Sequence, residues 1–431
     1  MNKFSNLYGA LPYSLHFNES NLIDITNYEN TIILDLIDTF LSISYHDFTT
    51  KRDENVNNRN ILKVTVPVNN YKMFLKIKDT LQRLLKYMTN GEEWQVDFTK
   101  YSTPKKINLN RLDLKHRTFN SVALLSGGLD AFAGASQETN NSTVFVTFET
   151  NAVERHKAET IYEDIIKKDE HTHSIVRKME IPKKMSHLSQ RTRTLAFFAS
   201  TFIFADAYKT SEIKVYENGI MSLNPRFYFR RYVTKTTHPK TIYLINSILE
   251  LLNIEFKIVN PFNYLTKAQV INLIPKDWSE HIVKTRTCSK MVGSRAFNNR
   301  HRSKICHCGI CMACQLRAIS MLNSKYAEDD VKYMLQPEIS NLSFITKQEG
   351  LDAHVKTEEL INELSYFKFK EKKSLLEYYR TFLSLINSGE IFFYLDLNAE
   401  IFIHDPEYIS KYKKMLSKFK NELDYYFSIQ K

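Results

Sequence analysis

The chain has 431 residues and a formal net charge of +11 at pH 7, and 43% of its residues are hydrophobic while 25% are charged. This globular composition suits one large domain with appendages or two to three domains, and it excludes a low-complexity chain. No apolar run approaches the length of a membrane span, and residues 1–20 lack the apolar core of a signal peptide. We therefore expect a cytoplasmic protein without a membrane partner.

The excess of basic residues has two interpretations. It suits a nucleic acid, a nucleotide or an acidic partner protein. It is also expected of a solvated, lysine-rich surface, because Lys, Asn, Ile and Tyr are abundant throughout the chain. Charge alone does not choose between these ligands.

Residues 1–118 are predicted to form an N-terminal α+β module. Ile61–Val68 reads as a strand, and Tyr71–Met88 has the apolar spacing of an amphipathic helix. Trp94, Val96 and Phe98 alternate with polar residues, which predicts a second, half-buried strand. These elements indicate no function by themselves.

Residues 119–325 alternate predicted strands with predicted helices. Such alternation predicts an α/β fold of the Rossmann-like kind, with a parallel sheet and helices on both of its faces. In these sheets ligands bind beyond the carboxyl ends of the strands. The predicted strands cover residues 121–125, 143–148, 174–181, 213–216 and 256–259, and the predicted helices cover residues 193–208 and 242–252.

Residues 326–431 are predicted to be a helical C-terminal extension. Asp405 followed by Pro406 resembles a helix N-cap with proline at the first helical position. The helix that follows carries one apolar stripe, which either packs against the main domain or binds a partner. The stripe consists of Tyr408, Tyr412, Met415, Phe419, Leu423 and Tyr426.

The five cysteines all lie in one short region, and four of them predict a zinc site. Cys308, Cys311 and Cys314 follow one another at CxxC spacing, and Cys288 can complete a tetrahedral set across a loop. Cys306 remains as a spare thiol. The alternative is a group of buried or redox-active thiols, whereas an odd number of cysteines confined to one region disfavours a disulfide framework.

A glycine-rich turn follows the first central strand. Its residues, Ser126, Gly127, Gly128, Leu129, Asp130 and Ala131, lead directly into a predicted helix. Two glycines allow a sharp turn and a close approach of the backbone to a ligand, and the free amides at a helix start favour phosphate. The turn is neither a Walker A loop nor a dinucleotide fingerprint.

Several motifs, in order, resemble the 7-cyano-7-deazaguanine synthase family of PP-loop enzymes. The SGGLDA turn is similar to the SGGxDS pyrophosphate loop of PP-loop ATP pyrophosphatases. Val146–Glu149 together with Glu154–Glu159 is similar to a TFDYGQRHxxE stretch of the synthases. Arg193 and Lys267 fall in stretches that resemble later family motifs, and residues 307–317 resemble the zinc signature CGxCxxCxLR. The resemblance covers residues 120–320, and the overall layout is similar to longer synthase-like proteins associated with antiphage defence.

This resemblance implies a fold, a reaction and a set of site residues. The implied fold is a PP-loop core of the adenine nucleotide α-hydrolase-like kind. The family uses ATP and Mg²⁺ to adenylate a 7-deazaguanine carboxylate, joins the acyl group to ammonia and then dehydrates the amide to a nitrile. The turn from Ser126 to Ala131 would hold the phosphates, with Asp130 at the magnesium ion. Arg155, His156, Arg193 and Lys267 would contact phosphate or substrate, and Zn²⁺ would be structural.

Two departures from the family pattern bear on the substrate. Ala131 replaces a hydroxyl donor to phosphate, which costs roughly 1.5 to 3 kcal/mol. Residues 219–241 resemble the family's substrate loop poorly and carry Arg226, Arg230 and Arg231. We therefore expect an amine acceptor on a partner macromolecule, such as a protein of a defence operon; the alternative is ammonia, with the nitrile as the final product.

Two other functions compete with the ligase. One is a PP-loop enzyme that modifies RNA, which clustered basic residues favour and for which Cys306 would be the free thiol. The other is a non-catalytic nucleotide-binding component of a defence complex, which Ala131 favours. Release of AMP with 7-carboxy-7-deazaguanine would distinguish the ligase from both.

Overall fold

A computed structural model describes most of the chain in detail. The described residues are 15–17, 30–50, 61–101, 119–138, 141–149, 152–166, 171–178, 191–224, 234–288, 307, 311–330, 333, 372–391 and 407–429. None of the helices within these ranges is long and apolar enough to cross a lipid bilayer.

Strands and helices alternate through most of these ranges. The strands are β1 (Leu15–Phe17), β2 (Ile61–Val68), β3 (Glu93–Lys100), β4 (Ser121–Leu124), β5 (Thr143–Glu149), β6 (Thr172–Lys178), β7 (Glu212–Lys214) and β8 (Lys257–Val259). The α-helices are α1 (Thr31–Thr49), α2 (Tyr71–Met88), α3 (Leu129–Ser136), α4 (Ala152–Ile161), α5 (Arg193–Ala207), α6 (Gly219–Leu223), α7 (Pro239–Leu251), α8 (Lys267–Ile271), α9 (Met312–Leu322), α10 (Lys372–Ser388) and α11 (Tyr408–Ser428). A π-helical turn covers Tyr162–Ile166, and a 3₁₀ helix covers Lys276–Lys284.

The central sheet has the strand order β1-β6-β5-β4-β7-β8. All neighbouring pairs from β6 to β8 are parallel, and β1 is antiparallel to β6 at the edge. Numbered along the chain, the five parallel strands lie in the order 3-2-1-4-5, which is a doubly wound arrangement whose direction reverses between β4 and β7. The predicted α/β class with a parallel sheet is confirmed, and the order is compatible with a Rossmann-like core.

Alternate residues of the central strands enter different apolar clusters. Val122 of β4 packs with Phe202 of α5 and other residues of one cluster, whereas Ala123 packs with Phe132 of α3 in another. Because successive side chains of a strand point to opposite faces, α3 and α4 cover one face of the sheet while α5 and α7 cover the other. The predicted two-sided covering of the sheet is therefore observed.

The N-terminal module shares its core with the central sheet. The two predicted strands and the helix between them are present, and β2 and β3 pair in parallel across α2. Helix α1 packs against α5, and α2 packs against α7, so the module lies over one helical face of the sheet. Asp35 of α1 fixes the β2–α2 turn by accepting backbone hydrogen bonds from Asn69 at 3.0 Å and Asn70 at 2.8 Å.

The C-terminal helices form a third apolar cluster with α6 and α9. The predicted stripe of α11 is buried in this cluster, so it packs within the molecule, as one of the two sequence interpretations requires. The ring of Phe419 lies 5.3 Å from the ring of Phe382 on α10, measured between centroids. Helix α11 begins at Tyr408 with Glu407 as its N-cap residue, later than predicted; Asp405 and Pro406 lie outside the described residues.

Candidate nucleotide pocket and metal centre

A cavity of about 180 Å³ lies where the winding of the sheet reverses. The turn after β4 and the start of α3 form one side, and the residues after β7 form another. Helix α8 and the chain around Cys288 and Cys311 complete the wall. The lining residues are Ser126, Gly128, Leu129, Asp130, Ala131, Tyr216, Glu217, Met221, Lys267, Arg286, Thr287, Ala313 and Leu316.

The glycine turn is held in place by hydrogen bonds on both sides. The hydroxyl of Thr147 on β5 donates to the carbonyl of Leu125 at 2.7 Å, and the amide of Arg286 donates to the carbonyl of Gly127 at 2.6 Å. A Cβ at Gly128 would lie only 3.2 Å from Ser126 Oγ, so the turn is tight at this position. No described side chain caps the start of α3, and unpaired amides at a helix start are the kind of group that binds an anion.

Asp130 and Lys267, both predicted site residues, meet in the cavity. Lys267 Nζ lies 2.5 Å from Asp130 Oδ1, and the Asn218 side chain donates to Asp130 Oδ2 at 2.7 Å. Burial raises the pKa of Asp130, but the charge of Lys267 and the hydrogen bonds from Glu217, Lys267 and Asn218 outweigh burial and hold this pKa below its ordinary value. Asp130 is therefore an ionised carboxylate.

Glu217 is a site residue that the sequence did not reveal. It lies three residues after the end of β7, lines the cavity and hydrogen-bonds to Asp130. Burial, and then the negative charge of Asp130, raise the pKa of Glu217 well above its ordinary value. The two opposite shifts favour a neutral Glu217 beside an ionised Asp130. Its position just beyond a strand end was the available signal, but only the strand order shows that this end adjoins β4.

Three cysteines form a cluster that could hold a metal ion such as zinc. The Sγ atoms of Cys288, Cys311 and Cys314 all lie within 4.8 Å of one another, and all three residues are buried. Cys311 Sγ is 3.3 Å from Cys314 Sγ and accepts the Cys314 amide at the start of α9. Buried cysteine sulfurs at this separation match the donor chemistry of a structural zinc site. Cys308, the predicted fourth ligand, and Cys306 lie outside the described residues.

Arg317 connects the cysteine cluster to the cavity wall. Its guanidinium is fully buried and donates to Thr285 Oγ1 at 2.8 Å, to Thr287 Oγ1 at 3.0 Å and to the carbonyl of Ile282 at 3.1 Å. It also forms an ion pair with Asp330 at 2.8 Å. The chain from residue 282 to residue 287, which runs into Cys288, is thereby fixed against α9.

The other predicted site residues lie outside the cavity lining. His156 is exposed on α4. Arg155 forms ion pairs with Glu149 at 3.4 Å and Glu159 at 3.6 Å. Arg193 is exposed at the start of α5, with its guanidinium 5.3 Å from the centroid of the Phe197 ring.

Comparisons with known proteins add no assignment to this geometry. No protein-family model matches the chain, and no curated protein and no solved structure matches it.

Proposed function

We propose that this chain is an ATP-dependent PP-loop ligase that adenylates a 7-deazaguanine carboxylate and joins it to an amine, in antiphage defence. The observation that carries the proposal is the place of the SGGLDA turn. It leads into α3 at the point where the winding of a parallel sheet reverses, and the buried ammonium of Lys267 faces it. Helix amides, two glycines and one cation are the components of a phosphate site.

The residues present fit both implied metals. Asp130 and Glu217 supply the adjacent carboxyl oxygens that Mg²⁺ prefers, and they would hold it once Glu217 has lost its proton. Bound magnesium would neutralise charge on the phosphates. Cys288, Cys311 and Cys314 would hold Zn²⁺ with Cys308, and this ion would stabilise the wall without entering the reaction.

The proposed reaction transfers an acyl group in two steps. A carboxylate oxygen of the deazaguanine attacks the α-phosphorus of ATP, and the bond to pyrophosphate breaks. An amine nitrogen then attacks the acyl carbon, forms the amide, loses a proton and displaces AMP. In this scheme the first amides of α3 and the Lys267 ammonium orient the phosphates and stabilise the charge on the departing pyrophosphate.

We infer that the amine belongs to a larger partner, such as a protein of the same defence operon. The support for this inference is that residues 219–241 resemble the family's substrate loop poorly. Part of this segment forms α6, which is buried against α11, and residues 225–233 lie outside the described residues. A nucleic acid amine is the alternative acceptor, and free nitrile with unchanged partner masses would contradict both.

A non-catalytic nucleotide-binding component is the second candidate. It is favoured by Ala131, which lines the cavity where the resembling loop has a hydroxyl. The two functions share the phosphate site and differ in whether the carboxylate is activated. An RNA-modifying enzyme receives no comparable support from the described residues.

One incubation, together with a calorimetric measurement of ATP binding, separates these candidates. The protein, ATP, Mg²⁺, 7-carboxy-7-deazaguanine and ammonia are combined with the neighbouring gene products, and AMP, pyrophosphate and intact protein masses are measured by mass spectrometry. AMP that requires the deazaguanine supports the ligase, and a mass increase on one protein identifies the acceptor. ATP binding without AMP supports the second candidate, and absence of ATP binding contradicts both.

A further inference from the structure

Helix α11 places a buried carboxyl group directly behind the pocket lysine. The Thr266 hydroxyl donates to Glu422 Oε1 at 2.5 Å, and only 8% of Glu422 is exposed. Thr266 is the N-cap residue of α8, where its hydroxyl also accepts the Gln269 amide at 3.2 Å. Lys267 is the next residue in the chain and the first residue of α8. Glu422 therefore fixes Thr266, and the position of Thr266 determines the position of the Lys267 backbone.

Helix α11 also contacts the chain beside Asn218, which is the second residue that hydrogen-bonds to Asp130. A Cβ at Gly219 would lie 2.2 Å from Met415 Sδ of α11 and 2.4 Å from the carbonyl oxygen of Asn263. Gly219 directly follows Asn218, whose side chain donates to Asp130. Helix α11 therefore contacts the chain next to both Asn218 and Lys267.

The environment of Glu422 favours its neutral form. Glu422 Oε2 is buried and has no hydrogen-bond partner among the described residues. Burial raises the pKa of Glu422 to about 7, while the Thr266 hydroxyl and the charge of Lys418 oppose the rise. Lys418 lies on α11 itself. The groups that face Glu422 from α8 and from the end of α9 are neutral: the Thr266 hydroxyl and the Asn323 amide, which donates to the Glu422 backbone carbonyl at 3.2 Å.

We propose that Glu422 is a positioning residue that holds Thr266, and through it Lys267, in the phosphate-binding arrangement, so that the docking of α11 regulates the affinity of the pocket for a polyphosphate. The inference rests on the proposed function in one respect, namely that the ligand is ATP. Glu422 does not touch the ligand. It acts through the N-cap of α8.

The direction of the regulation follows from the burial of the carboxyl group. At low pH, neutral Glu422 is compatible with its buried place and the N-cap is held. As the pH rises through about 7 the carboxyl group ionises, and a buried charge with one unpartnered oxygen favours displacement of α11 from α8. The affinity for ATP should then fall, apart from any change due to ionisation of ATP itself.

The test compares the wild-type protein with Glu422→Gln, which keeps an acceptor oxygen and cannot ionise. The affinity for ATP with Mg²⁺ is measured by calorimetry from about pH 6 to about pH 8.5, and the ionisation of ATP cancels in the ratio of the two affinities. We expect the wild-type affinity to fall about fivefold to tenfold relative to Glu422→Gln across this range, since about one hydrogen bond is lost. A ratio that stays constant overturns the proposal.

Two further variants separate positioning from general stability. Asp424→Asn changes an exposed carboxyl group on the same helix, and it should reproduce the wild-type pH profile. Thr266→Val removes the hydroxyl that donates a hydrogen bond to Glu422. This variant should bind ATP more weakly at every pH, and its ATP affinity should no longer depend on pH through Glu422. A pH profile of Thr266→Val like that of the wild type would contradict the proposed path through the N-cap.

Amide hydrogen exchange tests the positioning without ATP. After correction for the chemical rate, exchange in residues 268–271 should accelerate with pH in the wild type and not in Glu422→Gln. If ATP fails to bind at any pH, the proposed function fails while this measurement still decides the role of Glu422. Equal exchange in the two proteins at every pH overturns the role.

Discussion

Lys267 Nζ and Asp130 Oδ1 form a 2.5 Å ion pair in which only 7% and 8% of the two side chains are exposed. The two residues are far apart in the sequence. They meet because the N-terminal ends of α8 and α3 lie side by side. Removing one member of a buried pair leaves the other charge without compensation in a medium that solvates it poorly. Removal of either charge should therefore destabilise the fold as well as the site.

Asp130→Asn should lower the free energy of unfolding by about 3 kcal/mol. It should also abolish AMP formation, because an amide is a poor magnesium ligand. Urea unfolding and an AMP assay measure the two effects. The matched control is Asp97→Asn, since Asp97 pairs with Lys78 at 2.6 Å on the surface and is 62% exposed. The control should change stability by less than about 0.5 kcal/mol. Equal losses in the two variants would refute the special role of the buried pair.

Metal content should depend on the clustered cysteines. We predict one zinc ion per chain, and Cys311→Ser should abolish either the metal content or the soluble protein, because the binding energy of the ion is folding energy. Cys306→Ser should leave the metal content intact. Elemental analysis of the purified variants measures both. Loss of zinc from Cys306→Ser with retention in Cys308→Ser would reassign the fourth ligand.

Arg317→Lys should destabilise the protein by about 3 kcal/mol or more, because an ammonium cannot reproduce the hydrogen bonds of a buried planar guanidinium. It should also accelerate the loss of zinc to a chelator, since Arg317 fixes the chain that enters Cys288. Arg380→Lys, at an exposed position on α10, is the control and should leave both quantities unchanged. A rate of zinc loss in Arg317→Lys equal to that of the wild type would show that this arginine does not stabilise the cysteine cluster.

The free energy of unfolding of the wild type should fall relative to that of Glu422→Gln as the pH rises from about 4.5 to about 7. The folded-state pKa of Glu422 is raised from its ordinary value of 4.5 to about 7, so the folded protein binds more protons than the unfolded chain in this window. Wild-type stability must therefore fall across it, by about 2 to 3 kcal/mol from this group. Chemical unfolding at several pH values measures the difference. A difference that is independent of pH would show that Glu422 titrates normally.

Elements with a clear period were predictable from the sequence. Strand β2 and helix α2 have the predicted bounds, and the central strands differ from prediction by only a few residues at their ends. Helix α1 was missed, because Asp35, Asp38, Ser42 and Ser44 are buried among its apolar residues and obscure the helical stripe. A polar residue that is buried through a tertiary contact, such as Asp35 with Asn69, cannot be distinguished from an exposed one by periodicity.

The candidate site was predictable only where its residues lie in a local motif. The glycine turn and the cysteines are compact in sequence, whereas the contribution of Glu217 depends on β7 lying beside β4. The contribution of Glu422 depends on a helix from the far end of the chain reaching α8. Pairing of distant segments is set by the packed structure, and a single sequence does not display it.

The cover that α11 provides has a consequence for proteolysis. Cleavage that releases this helix would uncover the apolar faces of α6 and α9 and also remove the carboxyl group behind Thr266. Such a nick would leave every residue of the glycine turn and the cysteine cluster in the chain, yet Lys267, the proposed phosphate-binding lysine, would lose the support of Glu422. Trimmed protein would then give false negatives in nucleotide-binding assays, so the intact mass of each preparation decides whether a negative result is informative.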